Sequence, residues 1–374
     1  MIETKPPQAL SLFDLIGREW ALGEAVAQIV FNANMSAVAC TLADGTLAIL
    51  PMADAEHPER RIRMELETGR TTIRPRENPP APEIRPDPQH IGGVICHLGE
   101  QGFAVGGEGT ALWQVTARGQ TVRLVRDGDA PVTALCSAGQ AAIYVARGGH
   151  VALLETQSMT AQAECDLPSP VMKLAVSPNG ALIVAWHAGQ FTVLKAETLD
   201  AVSEIKADGI VTTLAWSPDG RWIAAGCEDK ALIVVDVTTG QADRIVDFPG
   251  PVASVAFNAR AGVLVASGAF RVVGWRLPDL PFGTHEGVPI QTGKPGLTLV
   301  EYVAPNPKRE TCAAGYANGL VTICPLGQRD ELMLCEGRGA PVSAMGWSED
   351  GMNLALGFAD GRAAIISFPK AMFK

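Results

Sequence analysis

The sequence predicts an all-β chain folded as a closed ring of small four-stranded sheets, one sheet per repeat. Three observations carry that expectation. Residues 214–237, LAWSPDGRWIAAGCEDKALIVVDV, recur in degraded form at a spacing of about 40 residues, a period that marks a repeated supersecondary unit. Within each copy, short apolar runs alternate with Gly, Pro, Asn and Asp clusters, the pattern of strands and tight turns. The last copy stops one strand short, and the N-terminal region holds a segment that can complete it.

Each unit begins with a short apolar strand, as at 211–216 and 252–257. A turn follows, Ser217-Pro218-Asp219-Gly220 or Ser177-Pro178-Asn179-Gly180. Proline presets φ and glycine accepts positive φ, so these four residues reverse the chain at little steric cost. The second strand is rich in small apolar residues, as at 222–227, 142–147 and 352–357. A second tight turn then carries Asp44-Gly45, Asp229-Lys230, Asn318-Gly319 or Asp360-Gly361. Asn or Asp before Gly between apolar runs is a strong hairpin signal. Asp44, Asp229, Asn318 and Asp360 are therefore expected to be structural turn residues. A third apolar strand, such as 232–237, and a looser, more polar fourth strand finish the unit.

Aligned copies place first strands near Val26, Gly93, Val132, Val171, Val211, Val252, Thr298 and Val342, which makes eight units. The last ends after its third strand at 363–368. Arg18-Glu19-Trp20-Ala21-Leu22 precedes the first complete unit, where a fourth strand is expected. An N-terminal strand added to the last unit closes the ring and removes its exposed edge. Seven units remain the alternative, with one weak copy as an embellishment.

The pattern resembles the WD40 family of β-propellers over nearly the whole chain. The unit at 211–248 is most similar, with its SPDG turn, Asp229 and Val235-Asp236 where the family usually has Trp-Asp. The Gly-His pair that opens many WD40 units is missing, and Trp113-Gln114 and Trp275-Arg276 replace the closing Trp-Asp elsewhere. The resemblance implies a WD40-like β-propeller of eight four-stranded blades, or seven, with the last blade closed by the N-terminal strand. In the family, the turn Asp and the opening His join a buried hydrogen-bond network. Here Asp44, Asp229 and Asp360 lack that His, so local Asx-type bonds are expected to hold the turns.

Composition fits a single propeller domain spanning residues 1–374. Hydrophobic residues make up 47% of the chain and aromatics 6%, which suits small apolar side chains packed between sheets. There is no apolar run long enough for a transmembrane helix, and the N-terminus lacks a signal-peptide layout. Most of the eight cysteines sit in strand patterns, as buried thiols do in a reducing compartment. A cytoplasmic location is expected. The net charge of −10 weighs against nucleic acid, whose backbone needs a positive field. A protein or peptide partner is expected, with neither nucleic acid nor membrane.

Two segments exceed the repeat. Residues 68–90 form a Pro-rich insertion that includes Pro75, Pro79, Pro80, Pro82, Pro86 and Pro88, too many for a central strand. Residues 61–67 just before it read as the fourth strand of the first blade. The insertion reads either as a partner-contacting arm or as a tolerated surface excursion. Residues 277–296 form a Pro/Gly-rich loop in the sixth repeat, replacing a tight fourth strand. Its Phe282 either anchors a partner or plugs the side of its own blade.

Catalytic signatures are absent: the chain has no GxSxG, HExxH, phosphate-binding loop or CxxC. Gly106-Gly107-Glu108-Gly109 reads as a hairpin turn, because no helix follows to complete a phosphate site. Cys96, His97 and Cys136 are the leading candidate set for zinc, and Cys312, Cys324 and Cys335 fall together in the seventh unit. Equivalent positions on neighbouring blades need not converge on a tetrahedral site, so no metal and no cofactor are expected. A metal-handling (zinc-binding) propeller is one alternative function. A propeller enzyme with its site in the central channel is another, although the innermost strands offer hydroxyls and almost no carboxylates. His187 reads as a packed or rim residue rather than a general base. The family resemblance implies a non-catalytic interaction scaffold that binds partners through the loops joining fourth to first and second to third strands. On that face Lys173, Trp186, His187, Glu228, Tyr316 and Phe358 form the candidate partner-binding rim, with aromatic packing between blades as the competing reading.

Overall fold

A computed structural model describes residues 10–64, 71–88, 90–100, 102–107, 109–125 and 130–373. Eight sheets stand around a shared axis, each opening on its own first strand in chain order. The inner strands begin at Val26, Val94, Val132, Lys173, Val211, Val255, Val300 and Val342. They adjoin one another around the ring, and Val26–Phe31 meets Val342–Trp347 to close it. In the eighth blade Gly17–Ala21 pairs antiparallel with Arg362–Ser367, Gly17 opposite Ile366 and Ala21 opposite Arg362. The N-terminal segment is thus the missing fourth strand, and eight is the blade number.

The register orients the two faces. Val211 lies opposite Cys227 and Trp216 opposite Ile223. The second-to-third-strand turns and the fourth-to-first connections therefore share one face, here called upper. The first-to-second and third-to-fourth turns share the other, lower face.

Hydrophobic burial is concentrated in wedges between blades. Trp186, Phe191 and Ile205 of blade four pack with Val211, Ile223 and Ile233 of blade five. Ala313 and Val321 of blade seven pack with Leu354, Phe358 and Ile366 of blade eight, and Phe13 and Ile16 of the short helix Leu12–Ile16 seal that wedge. Close approach is possible because the second strand carries a glycine where the next blade starts. A Cβ on Gly226 would stand 2.1 Å from the Val252 carbonyl oxygen. Hydroxyls reinforce the same junctions. The first strand of blade five bulges between Val211 and Thr213, and Thr212 Oγ1 donates to Val252 O at 3.1 Å.

The lower turns are held by buried polar residues. Ser217 Oγ accepts from Trp222 N at 2.8 Å, Ser177 Oγ from Leu182 N at 2.9 Å and Ser348 Oγ from Asn353 N at 2.9 Å. Asn258 and Asn306 hold the same place in blades six and seven and reach across blades. Asn258 Nδ2 donates to Asn306 O at 3.0 Å, and Asn306 Nδ2 to Gly351 O at 3.0 Å. Among the upper turns, Asp44, Asn318 and Asp360 accept locally from the N–H two residues on, at 2.9, 3.1 and 3.2 Å. Asp229 differs: its carboxylate pairs with Arg244 of the fourth strand, so a cross-strand ion pair holds that turn.

Both interruptions differ from their sequence reading. Residues 62–64 do not complete blade one. They form a small hairpin with Thr71–Ile73, and 65–67 lie outside the described residues. Ile84, within the proline-rich stretch, bridges Ile49 through Ile49 N to Ile84 O at 2.9 Å and Ile84 N to Ile49 O at 2.8 Å. It stands where a fourth strand would run, and the prolines around it, which cannot donate, hold the pairing to that bridge. The described insertion is stitched to three blades. Trp20 Nε1 donates to Ala81 O at 2.8 Å, Arg85 Nη2 to Leu22 O at 2.7 Å and Thr121 Oγ1 to Asp87 O at 2.6 Å. In the second interruption Pro289–Thr292 is a fourth strand, pairing with Val272–Arg276. Phe282 packs on Trp222 of blade five, ring centroids 5.5 Å apart, at the core shared by blades five and six.

Candidate functional site

The upper face was the expected working surface, and the structure divides its six candidate residues into interior and exterior. Trp186, His187, Tyr316 and Phe358 are at most 5% exposed. They lie at the ends of second strands, and Trp186, Tyr316 and Phe358 pack into the wedges between blades. Trp186 lies against Phe191 with ring centroids 4.5 Å apart. Phe358 lies beneath the Arg362 guanidinium at 4.3 Å. Burial pushes the Tyr316 phenol up to about 12. The aromatic rim is therefore blade-to-blade packing. Glu228 is exposed, and its N–H donates to Ile210 O at 3.0 Å. Lys173 is half-buried on the inner strand of blade four, and burial lowers its ammonium pKa.

His187 has partners that its own repeat did not reveal. Its Nδ1 is 2.7 Å from Ser169 Oγ, on the connection leading into blade four, and its Nε2 is 2.8 Å from Thr192 Oγ1 on the third strand. Burial lowers the imidazole pKa, with Glu204 opposing that effect, so a neutral ring joins two hydroxyls. This chain ties the connection, second strand and third strand together where the family network would stand.

The exposed apolar side chains of the upper face lie on connections instead. Met172 is 54%, Ile210 63%, Phe270 43% and Leu297 98% exposed. They belong to successive blades four to seven, and backbone bonds hold Ile210 to the upper turn of its own blade and join the Phe270 and Leu297 loops. Glu228 N meets Ile210 O, and Gly296 N donates to Phe270 O at 3.0 Å, setting the Leu297 loop beside Phe270. Sequence reasoning passed over these four, because a single apolar residue in a loop has no periodic signal.

At the lower face the channel opens into a cavity of about 770 Å³. Its wall includes Phe31, His97, Phe257, Tyr302, Trp347 and Glu349. These residues come from blades one, two, six, seven and eight.

The zinc candidates separate. Cys96 is buried and His97 faces the cavity wall, as alternation along a strand requires. Cys136 occupies the matching strand position of blade three. Burial pushes Cys96 up to about 12 and raises Cys136 as well. Among the described residues no group of three or more His, Cys, Asp or Glu is placed to hold a metal ion. Of the glycine cluster, Gly106 ends the second strand of blade two, and Glu108 lies outside the described residues. No described helix is long and apolar enough to cross a membrane.

The family model for the WD domain, G-beta repeat, matches residues 201–236. That match starts in the fourth strand of blade four and ends at Asp236, the last residue of the third strand of blade five. Asp236 is buried, accepts from Arg221 Nη2 at 2.8 Å and caps the next turn through Thr238 N at 2.9 Å. No curated protein matches the sequence. Among solved structures, the crystal structure of the computationally designed Ika8 protein is similar at 16% identity and a TM-score of 0.65, covering 95% of this chain and 99% of that one. At that identity the likeness concerns the fold alone. Repeat period, ring closure by the N-terminal strand and the similar solved structure make this chain an eight-bladed β-propeller, in which one unit, residues 201–236, is similar to the WD domain, G-beta repeat.

Proposed function

We propose that the protein is a non-catalytic interaction scaffold of the cytoplasm that holds a protein or peptide partner on its upper face. The observation that carries this reading is the arc of Met172, Ile210, Phe270 and Leu297, four large apolar side chains left in solvent beside the channel. Large apolar side chains exposed on loops of one face are suited to anchor a partner, and a few such anchors supply most interface energy. Glu228 and Lys173 supply polar groups at the edge of the same arc. The rigid sheets keep these loops in place without ordering cost at binding.

The test is capture of partners from the native host by wild type, Leu297→Asp and Ile210→Asp. All three should unfold at the same temperature, because both side chains are already solvent-exposed. Loss of a defined co-purifying protein in both variants supports the reading. Equal recovery from all three removes the upper arc as the binding surface.

A further inference from the structure

The proline-rich insertion belongs to no blade, yet it is pinned along its length. The Asp54 carboxylate accepts from Arg76 Nη2 at 2.5 Å, and Glu56 accepts from Glu77 N at 2.8 Å and from Asn78 Nδ2 at 2.5 Å. Trp20 Nε1 holds Ala81 O, the two backbone bonds between Ile84 and Ile49 follow, and Arg85 reaches Leu22 O. These bonds lead to blade one, to the loop after its third strand and to the closing N-terminal segment. Arg74 pairs with Glu77 at 3.0 Å inside the insertion itself. Pro79 and Pro82 are left in solvent, while Pro80 between them is half-buried.

Stereochemistry fixes the shape of the exposed stretch Asn78-Pro79-Pro80-Ala81-Pro82. Its three rings hold φ near about −65°. The residues before them, Asn78, Pro79 and Ala81, are driven from the helical region toward extended ψ. No residue from 71 to 88 has a positive φ, and residues 79–83 enter no helix, strand or turn. These restraints describe a polyproline II segment of about three residues per turn, in which Pro79 and Pro82 fall on one side. Exposure follows that period: 79 and 82 lie outside, whereas 80 and 83 are half-buried. Aromatic-lined grooves that read Pro-x-x-Pro take two prolines three residues apart in this conformation. A free chain loses entropy on adopting it, but here the bonds to Asp54, Glu56 and Trp20 have already set it. We infer that residues 76–82 are a preformed polyproline ligand, displayed at the outer edge of the ring for a protein domain whose aromatic-lined groove takes Pro79 and Pro82. The contact lies at blades eight and one, apart from the upper arc on blades four to seven.

Titration of the full chain into two isotope-labelled probes, a purified SH3 domain and a purified WW domain, tests the ligand by nuclear magnetic resonance. At least one probe should bind saturably, with shifts at the signals of its aromatic groove. Excess of a free Pro-x-x-Pro peptide should displace the chain from it. Pro79→Ala and Pro82→Ala should each weaken that binding about tenfold, the loss of one anchor side chain. Both variants should keep the wild-type melting temperature, because both residues are already in solvent. Pro75→Ala, exposed but off the three-residue spacing, should bind as wild type does. Absence of binding by both domains at millimolar concentration overturns the inference, as does contact outside the groove or wild-type affinity in both Pro79→Ala and Pro82→Ala. Leu297→Asp should bind the probes as wild type does, so the insertion and the upper arc stand or fail independently.

Discussion

Ser343 Oγ donates to the Val26 carbonyl oxygen at 2.6 Å, joining the last repeat to the first across 317 residues of chain. Thr212 makes the same bond from blade five to Val252 of blade six. Ring closure therefore uses the joint that holds an ordinary pair of neighbours, with the N-terminal strand added outside it. A repeat protein of this kind gains stability from interfaces between adjacent units, so one weak interface leaves two open edges.

The closing joint is also sterically tight. A Cβ on Gly357 would lie 2.4 Å from Val26 Cγ1. Gly357→Val should cost about 1–3 kcal/mol through overpacking, and Ser343→Ala about 1 kcal/mol through the lost hydrogen bond. Urea denaturation of both variants checks this. An unchanged midpoint for Gly357→Val would show that the joint is not packed as described.

Acid should loosen the attachment of the insertion first. Asp54 accepts from Arg76 Nη2 at 2.5 Å and faces Arg18 Nε at 3.8 Å, its side chain only 4% exposed. Burial raises the Asp54 pKa, but the Arg76 bond and the Arg18 charge outweigh it and leave the carboxyl below its ordinary value. A depressed folded pKa contributes stability that is complete above the unfolded value near about 3.9 and lost as pH falls through the folded one. Asp54→Asn should cost about 3–5 kcal/mol at pH 7, since the buried Arg18 and half-buried Arg76 guanidinium groups lose their counter-ion. Its melting temperature should then fall less steeply than that of wild type between pH 5 and pH 3 (about the range in which carboxylates titrate). Parallel curves would refute the linkage.

The thiols should be nearly inert in the folded protein. Burial pushes Cys40 and Cys96 up to about 12 and Cys227 to about 11, and it raises Cys312 further. The thiolate is the reactive form, so at pH 8 these four should resist Ellman's reagent until denaturant is added. Fast labelling of Cys40 or Cys312 in the native state would contradict their placement.

Substitutions at the buried upper positions should act through stability. His187→Ala leaves the Ser169 and Thr192 hydroxyls without their imidazole partner, at about 1–3 kcal/mol. Trp186→Ala empties space between blades four and five, at about 3–5 kcal/mol. Thermal denaturation should show both losses, whereas Leu297→Asp leaves the transition in place. A wild-type melting temperature for Trp186→Ala would return that side chain to the rim.

Much of the architecture is local and so can be read along the chain. The SPDG turn at Ser217 and the Asx turns at Asp44, Asn318 and Asp360 depend on bonds within five residues. Their regular recurrence favours eight blades over seven, and the truncated final copy identifies Arg18–Leu22 as the closing segment. Asp229 escaped that logic because its partner, Arg244, lies on another strand. Ile84 escaped it because one bridge among prolines has no strand pattern.

Residue order alone determined the all-β ring and its closure and left eight units or seven, since turn chemistry and alternating hydrophobicity act over a few neighbouring positions; the sheets of the folded ring fixed eight. Tertiary structure alone decided which side chains meet solvent at the channel mouths. Trp186 and Leu297 are both large and apolar, yet one fills a wedge against a blade about forty residues away and the other has nothing packed over it. The same holds for Phe31, Tyr302 and Trp347: strands from opposite ends of the chain bring them around one cavity. Burial depends on how successive sheets stack, and that geometry exists only once the ring has formed.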